Sequence, residues 1–248
     1  MRVAALFDIH GNLPALEAVL AEVRRVGVDR VVIGGDVLPG PMPRECLDVV
    51  LDLGIPTDFI IGNGDRETVA ARRGMVSSVV PVAFREAMTW NASQLTDADE
   101  QTISGWPLTK ALRIDGIGEV LFCHATPRND SEVFTAATSD EKLRPIFDPL
   151  GVNVVICGHV HMQFDRMVGA TRIVNAGSVG MPFDAPAAYW LLLDSVIELR
   201  RTDYELQKAA ARVRRTAYPQ AEVFAASSIL NPPTKQMMTE AFLKAELS

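Results

Sequence analysis

The sequence predicts an α/β fold in two successive halves, a parallel sheet with crossover helices and then an antiparallel half, followed by a helical extension. Three observations lead there. Early in the chain, short apolar runs alternate with stretches of helical period, the pattern of strands joined by crossover helices. Beyond His161, four strand-like runs follow one another at short spacing. From Thr202 onward the pattern is helical.

Arg2 to Phe7 reads as a first buried strand, ending in the loop Asp8-Ile9-His10-Gly11-Asn12. Asn12 is a good N-cap, Pro14 suits a first helical turn, and Leu16, Val19, Leu20 and Val23 recur with helical period up to Gly27. Arg30 to Ile33 is a second strand, before Gly34-Gly35-Asp36, and Pro43 opens a helix through Leu53. Thr57 to Ile61 is a third strand, before Gly62-Asn63-Gly64-Asp65. Helices are expected over Glu67 to Arg73, Ala83 to Leu95, and Asp97 to Ser104 with Thr96 as cap. Thr109 to Ile114 and Glu119 to Cys123 form a hairpin around Asp115-Gly116. Ser139 to Asp148 is a helix that Pro145 bends or cuts short. Val154 to Ile156 is a buried strand, followed by Gln163 to Met167, Thr171 to Asn175, Ala187 to Leu193 and Val196 to Arg200. Thr202-Asp203-Tyr204-Glu205 reads as a capping box for a helix over Tyr204 to Ala217, and Thr234 to Leu247 as a last amphipathic helix. This divides the chain into a domain over 1–201 and an extension over 202–248, too short for a core of its own, which packs on the domain or on a partner subunit of a homo-oligomer.

The chain of 248 residues is long enough to bury a core without disulfides, and its three cysteines, Cys46, Cys123 and Cys157, read as reduced, buried thiols. A net charge of −7 argues against generic nucleic-acid binding, though not against an anionic substrate. No apolar run approaches the roughly 20 residues of a membrane span, and no signal peptide fits the start, so the expected location is cytoplasmic.

Chemistry concentrates at strand ends. All four histidines, His10, His124, His159 and His161, follow apolar runs. In extended backbone, residues two apart point the same way, so His159 and His161 can face one point in space. With Asp8, Asp36 and Asn63 they make seven candidate metal ligands, more than one ion needs. Imidazole with carboxylate and amide oxygen suits Mn, Zn, Fe, Co or Ni better than an oxygen-only cage suited to Ca. Asn12, Asn63 and Arg128 are candidates for substrate contact, Asn12 because a helix N-terminus favours a nearby anion.

In order, Asp8-x-His10, Gly35-Asp36, Gly62-Asn63-x-Asp65, His124, and Gly158-His159-x-His161 resemble the motifs of the calcineurin-like metallophosphoesterase superfamily. Asp8 to Asn12, Gly40 to Pro43, Thr126-Pro127-Arg128 and Asn175 to Gly180 look like its bacterial and archaeal phosphodiesterase branch. The resemblance implies a four-layer αββα sandwich and two divalent ions. The first ion would take Asp8, His10, Asp36 and His161, the second Asp36, Asn63, His124 and His159. It implies hydrolysis of a small phosphate ester by in-line attack of a metal-bridging hydroxide. Many members carry histidine where this chain has Gly64. Loss of a general acid costs about 10²–10⁴-fold in rate with a poor leaving group, so a phosphodiesterase is expected before a monoesterase. No side chain of this chain is assigned as general acid in its place. Asp36-Val37-Leu38 also lacks the Asp-Arg-Gly of the protein phosphatases. The alternative is a metal-binding scaffold of the same fold without turnover; such relatives tend to lose histidines that this chain keeps.

Overall fold

The computed structural model describes residues 1–77 and 80–247. Among these residues, ten strands form two five-stranded sheets. The first takes β1 (Val3–Leu6), β2 (Arg30–Ile33), β3 (Thr57–Phe59), β9 (Ala188–Leu193) and β10 (Ile197–Thr202), in the order β10-β9-β1-β2-β3. The second takes β4 (Thr109–Ile114), β5 (Gly118–Cys123), β6 (Val154–Cys157), β7 (Phe164–Val168) and β8 (Thr171–Asn175), in the order β4-β5-β6-β8-β7. Helices α1 (Leu13–Val26), α2 (Pro43–Leu51), α3 (Asn63–Arg72), α4 (Val82–Ser93), α5 (Asp97–Ser104) and α6 (Asp140–Phe147) connect them.

Strand periodicity explains the layering, because alternate side chains leave a strand on opposite faces. Val3, Ala5 and Phe7 of the first sheet meet Val120, Phe122, Val154 and Ile156 of the second in a core between the sheets. Ala4 and Leu6 point the other way, onto Leu16, Val19 and Leu20 of α1. Val155 and Cys157 likewise face outward, onto Leu143, Ile146 and Phe147 of α6. Three apolar layers thus separate four structural ones, the expected αββα sandwich.

The expected split into a parallel and an antiparallel half does not hold. Each sheet is mixed. β1, β2 and β3 run parallel, but β9 pairs antiparallel with β1, and β10 antiparallel with β9. In the second sheet β5, β6 and β8 are parallel, and only β4 and β7 are antiparallel to their neighbours. Local spacing made the late strands look like one meander. β9 is buried along its whole length because it lies inside the first sheet, covered on both faces.

The chain after β10 continues as α7 (Leu206–Val213), α8 (Ala221–Phe224) with a π-helical turn over Ala225–Leu230, and α9 (Lys235–Phe242). The capping box at Thr202 is absent. Thr202 ends β10, and its hydroxyl accepts from Trp190 Nε1 at 2.9 Å and donates to Glu22 Oε2 at 2.5 Å. Ala209, Val213, Phe224 and Ile229 join the core under α1 and α2, whereas Met238, Phe242 and Leu247 pack on the outer core of the second sheet. Among the described residues no helix is long and apolar enough to cross a membrane.

Candidate metal centre

The two sheets present their strand ends to one another, and the loops there carry the candidate ligands. Asp8 and His10 follow β1, Asp36 follows β2, and Asn63 follows β3. From the other sheet His124 follows β5, and His159 and His161 follow β6. The third loop is shorter than its sequence reads, since α3 begins at Asn63 itself, four residues before the expected start at Glu67. Asp8, His10, Asp36, His159 and His161 all hold positive φ, between 49° and 68°. Non-glycine residues adopt such conformations sparingly.

Asp8 Oδ1 lies 3.3 Å from His161 Nε2 and 3.8 Å from both His10 Nε2 and His124 Nε2. His10 Nε2 and His161 Nε2 are 3.0 Å apart. Asp36 faces both sides of the cluster, with Oδ2 3.7 Å from His10 Nε2 and Oδ1 3.7 Å from His124 Nε2. The outer end of the Asn63 amide lies 3.1 Å from His124 Nε2 and 2.9 Å from His159 Nδ1. Two compact groups result, Asp8/His10/His161 and Asp8/Asp36/His124, with Asn63 and His159 beside the second. Both aspartates stand between the groups.

Backbone carbonyls set the chemistry of the rings. Nδ1 of His10 faces Pro39 O at 3.1 Å, that of His124 faces Gly34 O at 2.8 Å, and that of His161 faces Met181 O at 2.6 Å. A carbonyl only accepts, so each Nδ1 carries the hydrogen and each Nε2 of the neutral ring turns a bare lone pair inward. Asp8 Oδ1, buried, has no hydrogen-bond donor, although Oδ2 accepts from His159 N–H at 2.9 Å. Three imidazole lone pairs and an unpaired carboxylate oxygen converging in a buried space repel one another unless a cation lies among them. The residues present therefore fit divalent transition-metal ions, for which mixed nitrogen and oxygen donors are suited.

In the absence of a cation these groups shift one another's titration. Burial alone would raise the Asp8 carboxyl, but the facing imidazoles, His161 foremost, hold it well below the usual carboxylate range. Burial and neighbouring His161 lower His10, and burial with His124 pushes His159 down to about 4. His124 runs the other way: burial would lower it, but the charges of Asp36 and Asp8 raise it.

Asp65 both caps α3 and supports the ligand loops. Oδ1 accepts from Val37 N–H and Leu38 N–H at 2.9 and 3.0 Å, and Oδ2 accepts from Gly62 N–H at 3.3 Å, tying the Asp36 loop to the Asn63 loop. Burial and the Asp36 charge raise its carboxyl to about 7. Ser178 Oγ donates to Asp8 O at 2.7 Å, and Asn175 Nδ2 donates to Gly158 O at 2.6 Å, so both hold ligand loops.

Two candidates for substrate contact stand apart from the cluster. Asn12 is fully buried, its Nδ2 donating to Gly180 O at 2.8 Å and its Oδ1 capping α1 at Ala15 N–H, so no polar atom is left for substrate. Arg128 is exposed, and its guanidinium forks onto Glu132. Sequence reasoning missed Phe183, whose ring stacks on His161 at 4.8 Å. Phe183 lies in an irregular loop with no periodicity to mark it.

Two mixed sheets face to face, helices outside, and a carboxylate–imidazole cluster where their strands end define an α/β sandwich built to hold metal. The sequence profile of the calcineurin-like phosphoesterase superfamily domain matches residues 1–196, and the chain belongs to that superfamily. It is 26% identical over 242 residues to an uncharacterised protein of Methanocaldococcus jannaschii, in an alignment covering 88% of this chain and 94% of that one. The crystal structure of a hypothetical protein from Pyrococcus horikoshii OT3 is similar at TM-score 0.79 and 19% identity, over 94% of this chain and 99% of that one. A metallophosphoesterase from Sphaerobacter thermophilus is similar at TM-score 0.70 and 24% identity, over 92% and 100%. At these identities the two structures show the fold. Membership makes this chain a metal-dependent phosphoesterase by family.

Proposed function

We propose that the chain hydrolyses phosphate esters at a centre of two divalent transition-metal ions and prefers diesters. The observation that carries the reading is the unpaired, buried Asp8 Oδ1 facing three Nε2 lone pairs whose tautomers the backbone sets. Asp8, His10, Asp36 and His161 would hold one ion, and Asp36, Asn63, His124 and His159 the other. Such ions, when bound, neutralise phosphoryl oxygens and supply a hydroxide nucleophile at neutral pH by lowering the pKa of water.

The protein's own part is orientation. Carbonyls of Pro39, Gly34 and Met181 lock three rings, and Gly64 N–H donates to Asp36 Oδ1 at 2.7 Å. The Asn63 amide has two useful poses. With nitrogen inward its two hydrogens have His124 Nε2, His159 Nδ1 and Asp130 O within reach; with oxygen inward it would offer a ligand atom to an ion.

Position 64 supplies no proton donor. A Cβ there would lie 2.4 Å from Pro39 Cγ, so no side chain fits while the proline ring keeps its place. Without that donor the leaving group has to depart as a weak base, which favours diesters and aryl esters over alkyl monoesters. The test is kcat/KM with added Mn or Zn on an aryl phosphodiester, an aryl monoester and an alkyl monoester. The diester is expected to exceed the alkyl monoester by about 10²-fold or more. An alkyl monoester as best substrate would overturn the preference.

A further inference from the structure

His161 holds φ 56°, and its Nδ1 faces Met181 O at 2.6 Å, which fixes the tautomer at one edge of the ring. Phe183 covers one face of that ring. Its ring stacks on the imidazole with centroids 4.8 Å apart and planes 25° apart, and its N–H donates to His161 O at 3.2 Å. The Phe183 ring also meets that of Phe242 in α9, at 6.0 Å.

The segment carrying Phe242 is fastened beside His161. Thr239 Oγ1 lies 3.7 Å from Met162 Sδ, and Lys235 Nζ donates to Gln163 O at 2.6 Å, so α9 grips the two residues that follow the ligand. Leu247 N–H to Val133 O and Lys142 to Glu246 pin the far end. Yet α9 has no fully buried residue. An element with so little burial opens more readily than the sheets beneath it. Among the described residues, the ring contacts of His10, His124 and His159 are with one another or with His161; His161 alone has an aromatic neighbour outside the cluster.

We infer that residues 235–247 are a strap on the metal centre: through Phe242 and Phe183 they orient His161 and raise the affinity of the Asp8/His10/His161 site, leaving the Asp36/Asn63/His124/His159 side unaffected. The inference rests on the two-metal reading above. Phe183 and Phe242 are positioning residues, because neither offers a donor atom to a cation. Outer neighbours that orient a ligand change metal affinity by about 10–100-fold.

The test is calorimetric titration of the full-length, metal-free protein with Zn²⁺, alongside elemental analysis, for wild type, Phe183→Leu, Phe183→Tyr and Phe242→Ala. Leucine keeps apolar bulk and loses the flat face, whereas tyrosine keeps the face. Phe183→Leu is expected to weaken one of two binding steps about 10–100-fold and spare the other, Phe183→Tyr to restore it, and Phe242→Ala to weaken the same step by a smaller factor. Unchanged steps, both steps weakened alike, or no difference between the leucine and tyrosine variants would overturn the strap. A single step in the wild type would count against the two-metal reading, and the strap would then stand or fall on that step's response to leucine and tyrosine.

Discussion

Five residues of the centre, Asp8, His10, Asp36, His159 and His161, hold left-handed backbone. At about 1–2 kcal/mol each, their strain sums to about 5–10 kcal/mol, as large as the net stability of a typical domain. Aspartate and histidine tolerate the region better than most residues, which places the cost near the lower end. Loop hydrogen bonds offset it, among them Asp8 N–H to Gly35 O and His10 N–H to Asp36 O. The centre is therefore built against stability, and Asp8 concentrates the conflict. Asp8→Asn would place an amide nitrogen where Oδ1 faces the His161 Nε2 lone pair, 3.3 Å away. The metal-free variant is expected to gain about 1–3 kcal/mol, with a rise of about 2–4 °C in Tm per kcal/mol, while losing metal uptake. A lower Tm for metal-free Asp8→Asn than for metal-free wild type would contradict this. His124 gives the pH dependence. Burial would lower it, but Asp36 and Asp8 raise it above the ordinary imidazole value, so the metal-free ring keeps its proton to higher pH than a free imidazole does. A cation has to displace that proton, so affinity falls as pH drops through the raised value. Calorimetry in buffers of different ionisation enthalpy should show more protons released per metal at about pH 6 than at about pH 8.

Among the elements, α3 couples local structure to the centre most tightly. It begins at Asn63, so Gly64 occupies its first turn with N–H bonded to Asp36 Oδ1. In an ordinary helix Gly→Ala gains up to about 1 kcal/mol. Here the added Cβ would meet Pro39 Cγ at 2.4 Å and Asp36 Oδ1 at 3.0 Å. Gly64→Ala should therefore destabilise by about 1–3 kcal/mol, the range for overpacking, and weaken metal binding by displacing Asp36. Chemical denaturation checks it, and a stabilised variant would show that Pro39 yields. The elements themselves were largely legible. The periodicity of Leu16, Val19, Leu20 and Val23, the cap at Thr96 and the turn at Asp115-Gly116 are local signals, and the structure honours each. Strand neighbours were not. That β8 lies between β6 and β7, or that β9 crosses back to β1, depends on pairings far apart in the chain, which no local pattern encodes. The supposed capping box at Thr202 failed because its hydroxyl is taken by Trp190 and Glu22, residues remote in sequence.

At the scale of the molecule, the apolar core between the sheets brings the strand ends of both together, so Asp8 and His161 meet within 3.3 Å although most of the chain separates them. The seven ligand candidates were legible in sequence as imidazoles, carboxylates and an amide after buried strands, and the structure brings them to one place. The supporting layer was less visible. Pro39, Gly34 and Met181 act through backbone carbonyls that any residue possesses, and Phe183 depends on a loop conformation. If these seven side chains hold the metal on which hydrolysis depends, elemental analysis of purified wild type and His161→Ala, paired with hydrolysis of an aryl phosphodiester, will show it. Wild type should carry close to two divalent ions per chain and turn over, and His161→Ala should be short of metal with turnover reduced by at least about 10²-fold. A metal-free wild type that still turns over, or a His161→Ala variant with full metal and full activity, would contradict it.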